Sequence, residues 1–305
     1  MADVLRCPVC VAGSGDAVGD RPGPSSFVRT ASFGQLRVDA DRRSLVCDAA
    51  HSFDVARQGY VSLLDGRARK LRSDTSEMVA ARGRVHAAHA FAPVIDAVAR
   101  AVGESAADRN ERPVVADVGS GTGHYLAGVL DAMPAARGIG LDLSKFCARA
   151  TARSHPRTAA VVADAWSGLP IRSAAMTAVL SVFSPRNVPE FARILRPGGV
   201  VVTVTPEPGH LAELAAPMGM LRIAEDKDAR LDADMATHFG APAPRPVRYT
   251  IDAPQSLVTD LVAMGPTAFH RGEADIAAAA RALVDDRPAV PVTIAVRVTA
   301  FLSQG

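Results

Sequence analysis

The chain has 305 residues, 48% of them hydrophobic, enough for one large domain and a small companion, which excludes a chain disordered throughout. Its formal net charge of +2 excludes a nucleic-acid footprint spread over the whole surface; any such footprint must be a local patch. No apolar run of about 18 residues and no basic stretch leading into an apolar core occur, so a cytoplasmic location without a membrane span is expected.

Cys7-Pro-Val-Cys10 is a Cys-x2-Cys knuckle, and Cys47-Asp-Ala-Ala-His51 adds Cys-x3-His. Three thiolates and one imidazole make a closed tetrahedral zinc set with no place left for water, which marks the metal as structural. A Cys-x2-Cys can also be a redox pair, but no βαβ unit precedes this one. Residues 13–26, rich in Gly, Pro, Asp and Ser, read as a loop; 35–39 and 44–46 read as two short strands. A hairpin this small buries too little apolar surface to fold without its metal. Phe53, Val55, Tyr60, Val61 and Leu64 are expected to close an apolar cluster over it. The densest basic run follows, Gly66-Arg-Ala-Arg-Lys-Leu-Arg72, joined by Arg57. It reads either as a solvated linker or as an edge contacting RNA phosphates.

Asp74-Thr-Ser-Glu77 has the residues of a helix start. The helix is expected to reach about Val102, with Met78, Ala81, Val85, Phe91, Val94 and Val98 on one face and a kink or split at Pro93. His86 and His89 read as core or exposed histidines. A polar connection, 104–112, leads into Val114-Val-Ala-Asp-Val-Gly-Ser-Gly-Thr-Gly-His124. This is a short buried strand carrying Asp117, then Gly119, Gly121 and Gly123, then a helix start. Such a turn lets a ligand lie against bare backbone and free helix N–H groups. No Lys-Ser/Thr follows, so it is not a phosphate-cradling loop, and the spacing is not Gly-x-Gly-x-x-Gly. An acid here repels a pyrophosphate but suits a cationic amine and a sulfonium, the charges of S-adenosylmethionine. The stretch resembles the first motif of Rossmann-like methyltransferases; a tight turn in another α/β sheet is the alternative.

Gly138-Ile-Gly-Leu-Asp142 is a second strand ending in an acid that can accept from both ribose hydroxyls, 19 residues beyond Gly123. A third strand ends near Asp164, an acceptor for an adenine amino group or a plain loop cap. Thr177-Ala-Val-Leu-Ser-Val-Phe-Ser-Pro185 is a fourth strand and the turn where donor and acceptor would meet. It lacks an Asn/Asp-Pro-Pro-Tyr/Phe motif, which argues against methylation of adenine or cytosine amines. A helix, the turn Arg196-Pro-Gly-Gly199 and a fifth strand over 200–204 follow, placing His210 at the rim of the same cleft. Residues 247–251 and 292–302 supply final strands, with a helix over 256–264 between them. Strands alternating with helices argue an α/β fold with a parallel doubly wound sheet.

These residues resemble one family, the RlmA-type 23S rRNA guanine-N1 methyltransferases, and within it the tylosin-resistance branch. The zinc quartet, Phe53-Asp-Val-Ala-Arg-Gln-Gly-Tyr60, the glycine loop, Ala163-Asp-Ala-Trp166, Val182-Phe-Ser-Pro-Arg-Asn187, Leu195-Arg-Pro-Gly-Gly199, His210-Leu-Ala-Glu-Leu214 and Met264-Gly-Pro266 carry the resemblance. It implies a small zinc-ribbon RNA-recognition domain, residues 1–72, and a class I methyltransferase domain, residues 73–305. It also implies a homodimer whose cleft holds a 23S rRNA hairpin, with macrolide resistance as a consequence of the modification. By position it places Gly123, His124 and His210 against the donor and Asp142 on its ribose. Phe91 stands where relatives can carry a tyrosine, so only stacking or packing against the donor survives there. No proton acceptor is singled out, Ser184 and the backbone around it being the nearest candidates. Two rival readings remain: a small-molecule methyltransferase, and a zinc-ribbon binding protein with an inactive core.

Overall fold

The computed structural model describes residues 1–13, 34–64, 72–105, 112–220 and 227–304. Most of the loop 13–26 and of the basic run 66–72, with Arg67, Arg69 and Lys70, lies outside them, as does part of the connection 104–112.

The first knuckle starts α1 (Pro8–Gly13). Strands β1 (Arg37–Val38), β2 (Ser44–Val46) and β3 (Ser52–Asp54) form a small antiparallel sheet. Strand β4 (Tyr60–Ser62) leaves it and joins the large sheet. Helix α2 (Ser76–Ala87) begins where Thr75 Oγ1 accepts from the Met78 N–H at 3.3 Å. The stretch expected to reach about Val102 with a kink or split is split into two helices, α3 being Ala92–Ser105. The break lies at His89, whose φ is +54°, and not at Pro93. Proline tolerates the first turn of a helix, where its missing N–H is not needed, so Pro93 starts α3 instead of kinking it.

The core follows as β5 (Val114–Val118), α4 (His124–Ala132), β6 (Arg137–Asp142), α5 (Lys145–Thr151), β7 (Thr158–Val162), β8 (Met176–Val182), α6 (Val188–Ile194) and β9 (Leu195–Pro206). Next come α7 (Ala212–Ala215), α8 (Lys227–Ala236), β10 (Ala243–Ala253), α9 (Gln255–Ala263), α10 (Glu273–Val284) and β11 (Val290–Leu302). Among the described residues the large sheet has the order β10-β11-β9-β8-β5-β6-β7-β4. The strands from β4 to β9 pair in parallel, whereas β11 is antiparallel to both β9 and β10. The sheet is therefore mixed, not wholly parallel. A β-branched apolar run marks a strand but carries no sign of its direction, and the alanine-rich α10 has few large apolar residues to announce it.

Alternation along the strands divides the core between two faces. Val115, Leu180, Val200 and Val202 join Val94, Val98, Leu126 and Val129 on one side. Ala116, Val118, Ile139, Val179 and Val201 join Phe191 and Ile194 of α6 on the other. That second cluster also contains Cys7, Cys10, Leu36, Leu45 and Cys47. The expected cluster over the hairpin is thus divided: Phe53 and Val61 belong to this shared core, while Tyr60 and Leu64 pack on Ala148, Ala160 and Val162. Among the described residues no helix is long and apolar enough to cross a membrane.

Candidate active site and metal centre

The four predicted metal ligands meet. His51 Nδ1 lies 3.5 Å from Cys7 Sγ and 3.4 Å from the Sγ atoms of Cys10 and Cys47, and Cys10 Sγ lies 3.7 Å from Cys47 Sγ. A tetrahedron with Zn–S of about 2.3 Å and Zn–N of about 2.0 Å has S–S edges of about 3.8 Å and S–N edges of about 3.5 Å. The quartet matches those edges, so its donor set and its spacing both fit zinc. Two backbone features build the cage. Ala50, at φ +61°, turns the chain so that its N–H reaches Cys47 O and His51 comes back to the thiolates. Gly34, at φ +75°, packs where a Cβ would lie 3.2 Å from Cys10 Cβ.

A cavity of about 450 Å³ opens at the C-terminal ends of β5, β6, β7 and β8. The strand order reverses at β5, which places the crevice at the switch point of the sheet, where ligands bind in open α/β folds. Gly119, Gly121 and Gly123 all have φ between +55° and +79°. A Cβ on Gly119 would lie 2.4 Å from Ser184 Cβ, one on Gly121 3.1 Å from the Arg82 guanidinium, and one on Gly123 2.5 Å from Ser154 Oγ. The loop is bare because three neighbouring elements press on it. Gly119→Ala is expected to cost at least about 2 kcal/mol, through left-handed backbone and overlap together. Urea unfolding checks this; an unmoved midpoint would refute the close fit.

Asp117 is 1% exposed, and neither carboxylate oxygen has a partner among the described residues. Burial, followed by the nearby charge of Asp142, moves its pKa from 3.8 up to about 7. Asp142 Oδ1 accepts from Ser144 N–H and Oδ2 from Gly121 N–H, both at 2.9 Å. Burial raises its pKa too, and those two N–H groups work against the rise. Arg82 bridges to Asp74 at 2.7 Å on the same wall. Asp164 accepts from Trp166 N–H at 2.9 Å and from Ser167 Oγ, so it caps its own loop while facing the cavity.

Of the nine predicted donor-site residues, Phe91, Asp117, Gly119, Gly121, Asp142 and Asp164 line this cavity. Gly123, His124 and His210 are not among its lining residues. Gly123 faces α5. His124 stacks on His86 at 4.2 Å with 9° between the rings, and its Nδ1 lies 2.8 Å from Thr122 Oγ1. His210 stands behind Phe91 and Phe183, 6.2 and 5.9 Å from their rings, with Nδ1 accepting from Ala295 N–H. Burial lowers the His210 pKa to about 4, so at neutral pH it carries no charge.

Two relatives decide what this constellation belongs to. A putative 23S rRNA (guanine-N1)-methyltransferase of Micromonospora griseorubida is 40% identical over 312 aligned residues, which cover 97% of this chain and 96% of that protein. A 23S rRNA (guanine(748)-N1)-methyltransferase of Streptomyces fradiae is 44% identical over 77% of this chain and 83% of its own length. The chain belongs to the 23S rRNA (guanine-N1)-methyltransferase family. Two family models agree: an RlmA N-terminal zinc ribbon over residues 34–70 and a methyltransferase domain over 115–199. The protein thus carries an S-adenosylmethionine-dependent methyltransferase fold with a zinc ribbon before it.

The structure also lines the cavity with residues to which the sequence reading gives no donor role. Met78, Arg82 and His86, four apart on α2, all line the cavity, and that spacing was a usable signal. Burial, followed by the proximity of His124 and Arg82, lowers the His86 pKa to about 3. Trp166 and Phe183, 64% and 42% exposed, stand as aromatic surfaces on the walls. Phe183 holds φ +51°, an uncommon state for a bulky residue. Arg72, read with the basic run, donates to Phe269 O at 2.9 Å with its guanidinium 4.1 Å above that ring.

Proposed function

We propose that this chain transfers a methyl group from S-adenosylmethionine to N1 of a guanine in 23S rRNA. The observation that carries this reading is a zinc quartet joined in one chain to a donor-shaped crevice, within a family of that activity. A small-molecule methyltransferase has no use for the quartet, and an inactive core has no use for two buried acids.

Residues 1–72 serve RNA recognition and 73–305 catalysis, with β4 of the first part completing the sheet of the second. Gly119 and Gly121 offer bare backbone to the donor, and Asp142 accepts from its ribose hydroxyls. Asp164, with Trp166 beside it, holds the adenine. Phe91 supplies packing. Gly123, His124 and His210 act at one remove, by shaping the loop and backing the aromatic wall. The bound donor supplies an electrophilic methyl and its own leaving group. The chain's residues position the acceptor and exclude water.

The target guanine must leave its stack to reach the crevice, and Phe183 and Trp166 are surfaces on which a splayed base can rest. Ser184 Oγ donates to Val118 O at 2.6 Å, so towards the acceptor base it can only accept. The target is the guanine at position 748, as named for the Streptomyces relative, the working form is a homodimer, and macrolide resistance follows from the modification.

Asp117 faces the donor's positive charge, and this gives a pH signature. Folding raises this acid's pKa, so its contribution to stability is fully present below 3.8 and is lost as the pH rises to about 7. A cationic ligand favours the carboxylate, so donor affinity should climb with pH and level off above about 7. Calorimetry at pH 6 in two buffers of different ionisation heat should show about one proton released per donor bound. Heats independent of buffer would remove Asp117 from this role.

The activity itself is tested by incubating the protein with donor and unmodified 23S rRNA, then digesting the RNA to nucleosides. 1-Methylguanosine is the expected product; methyl incorporation elsewhere, or only into small molecules, would overturn the reading.

A further inference from the structure

The chain on both sides of the zinc quartet grips one wall of the donor cavity. Just before Cys7, Leu5 pairs with Ile171, Arg6 N–H donates to Pro170 O at 3.1 Å, and Arg172 N–H donates to Val4 O at 2.9 Å. Past His51, β4 runs parallel to β7, and Leu63 N–H donates to Val162 O at 2.9 Å. The stretch between these two seams, from the end of β7 to Ile171, carries Asp164 and Trp166. A second, smaller cavity of about 100 Å³ separates α1 from this stretch, and Asp164 and Leu169 line both cavities. The stretch is a partition, with the metal knuckle behind it and the donor crevice in front.

Arg6 ties the partition down. Its Nε donates to Leu169 O at 3.3 Å, and its guanidinium lies 3.8 Å from Glu190 Oε2. Glu190 Oε2 in turn accepts from Leu169 N–H at 2.5 Å. Arg193 bonds both Glu190 oxygens and the carbonyls of Leu169 and Ile171. Leu169 is thus held on both its backbone N–H and its backbone C=O by a cluster that includes the residue immediately before a metal ligand. Cys7 fixes where that residue sits, and Cys7 is itself fixed by the other three ligands.

We propose that Arg6 is a positioning residue for the donor, and that the zinc site sets donor affinity through it. In this view the N-terminal module is part of the donor pocket as well as a surface for RNA. The idea rests on the cavity being the donor site, so donor binding to the zinc-loaded chain is measured first; no binding there would strike at the proposed function and at this inference together.

The deciding experiment compares S-adenosylmethionine affinity, by calorimetry on the full chain, for the zinc-loaded protein, for R6A and R6K, and for chelator-treated protein. Emission of Trp166, the only tryptophan, reports the partition locally. R6A should keep its zinc and its RNA affinity, weaken donor binding about tenfold, and raise the donor KM with kcat nearly unchanged. R6K, which keeps the charge facing Glu190, should recover part of the loss. Removing the metal should weaken donor binding at least as much and shift the Trp166 emission. A donor affinity of R6A within about twofold of the parent would overturn the proposal, whatever the metal-free chain does. If the metal-free chain unfolds, the Arg6 variants decide alone, because they leave all four ligands in place.

Discussion

Asp142→Ala should bind S-adenosylmethionine at least about a hundredfold more weakly, since two hydrogen bonds to a charged acceptor contribute about 1.5–3 kcal/mol each. The carboxylate also accepts from Gly121 and Ser144, so its loss slackens the glycine loop as well as removing the proposed ribose acceptor. Against that stands the relief of a buried charge that sits near Asp117. Stability should therefore move by no more than about 2 kcal/mol while donor binding collapses. Asp142→Asn keeps one acceptor oxygen and should lose about tenfold. A further consequence separates this account from a general weakening. The charge of Asp142 helps to hold the Asp117 pKa near 7. Without it, the pH at which donor binding levels off should move lower. Calorimetric titration across pH reads both effects. Unchanged affinity in Asp142→Ala would refute the ribose role.

Removing zinc, or replacing Cys7 with serine, should have the largest effect on stability. Structural zinc in small modules contributes about 10–16 kcal/mol, as much as the whole stability of an ordinary domain. A self-contained ribbon would unfold alone. Here Cys7, Cys10 and Cys47 sit in one apolar cluster with Ile139, Leu141, Val161 and Ile171 of the catalytic part. Loss of the metal should therefore loosen β4 and uncover the edge of β7. Hydrogen exchange checks it: protection should fall at 44–54 and also at 60–62 and 158–162. Protection unchanged at 158–162 would mean that the module unfolds by itself.

The residues whose chemistry is local are legible in the sequence itself. The quartet needs only two short spacings, and the acids announce themselves by position, Asp117 just before the end of its strand and Asp142 at the end of its own. Of the six predicted residues that do line the cavity, Asp117, Gly119, Gly121, Asp142 and Asp164 are of that kind, whereas nothing local marks Phe91, which only the family resemblance places there. His124 and His210 are different, because their distance from the crevice depends on how Phe91, Phe183 and His86 pack between elements. The same holds for β4: Tyr60-Val-Ser62 alternates as any short strand does, and nothing local says that it will pair with β7 about a hundred residues later. Pro93 misleads because a proline inside a helical pattern usually marks the break, whereas the left-handed turn at His89 has already ended the helix. Arg72 shows the limit of reading charge alone, since its guanidinium is taken up by Phe269.

The central claim is that this crevice methylates the Watson–Crick edge of one guanine, and primer extension tests it most directly. A methyl on N1 blocks base pairing, so reverse transcriptase should halt one nucleotide before the modified base. On unmodified 23S rRNA treated with the protein and donor, the account predicts a single new stop next to guanine 748, lost in Asp142→Ala. Read-through of that hairpin by fully zinc-loaded, donor-saturated protein would contradict it.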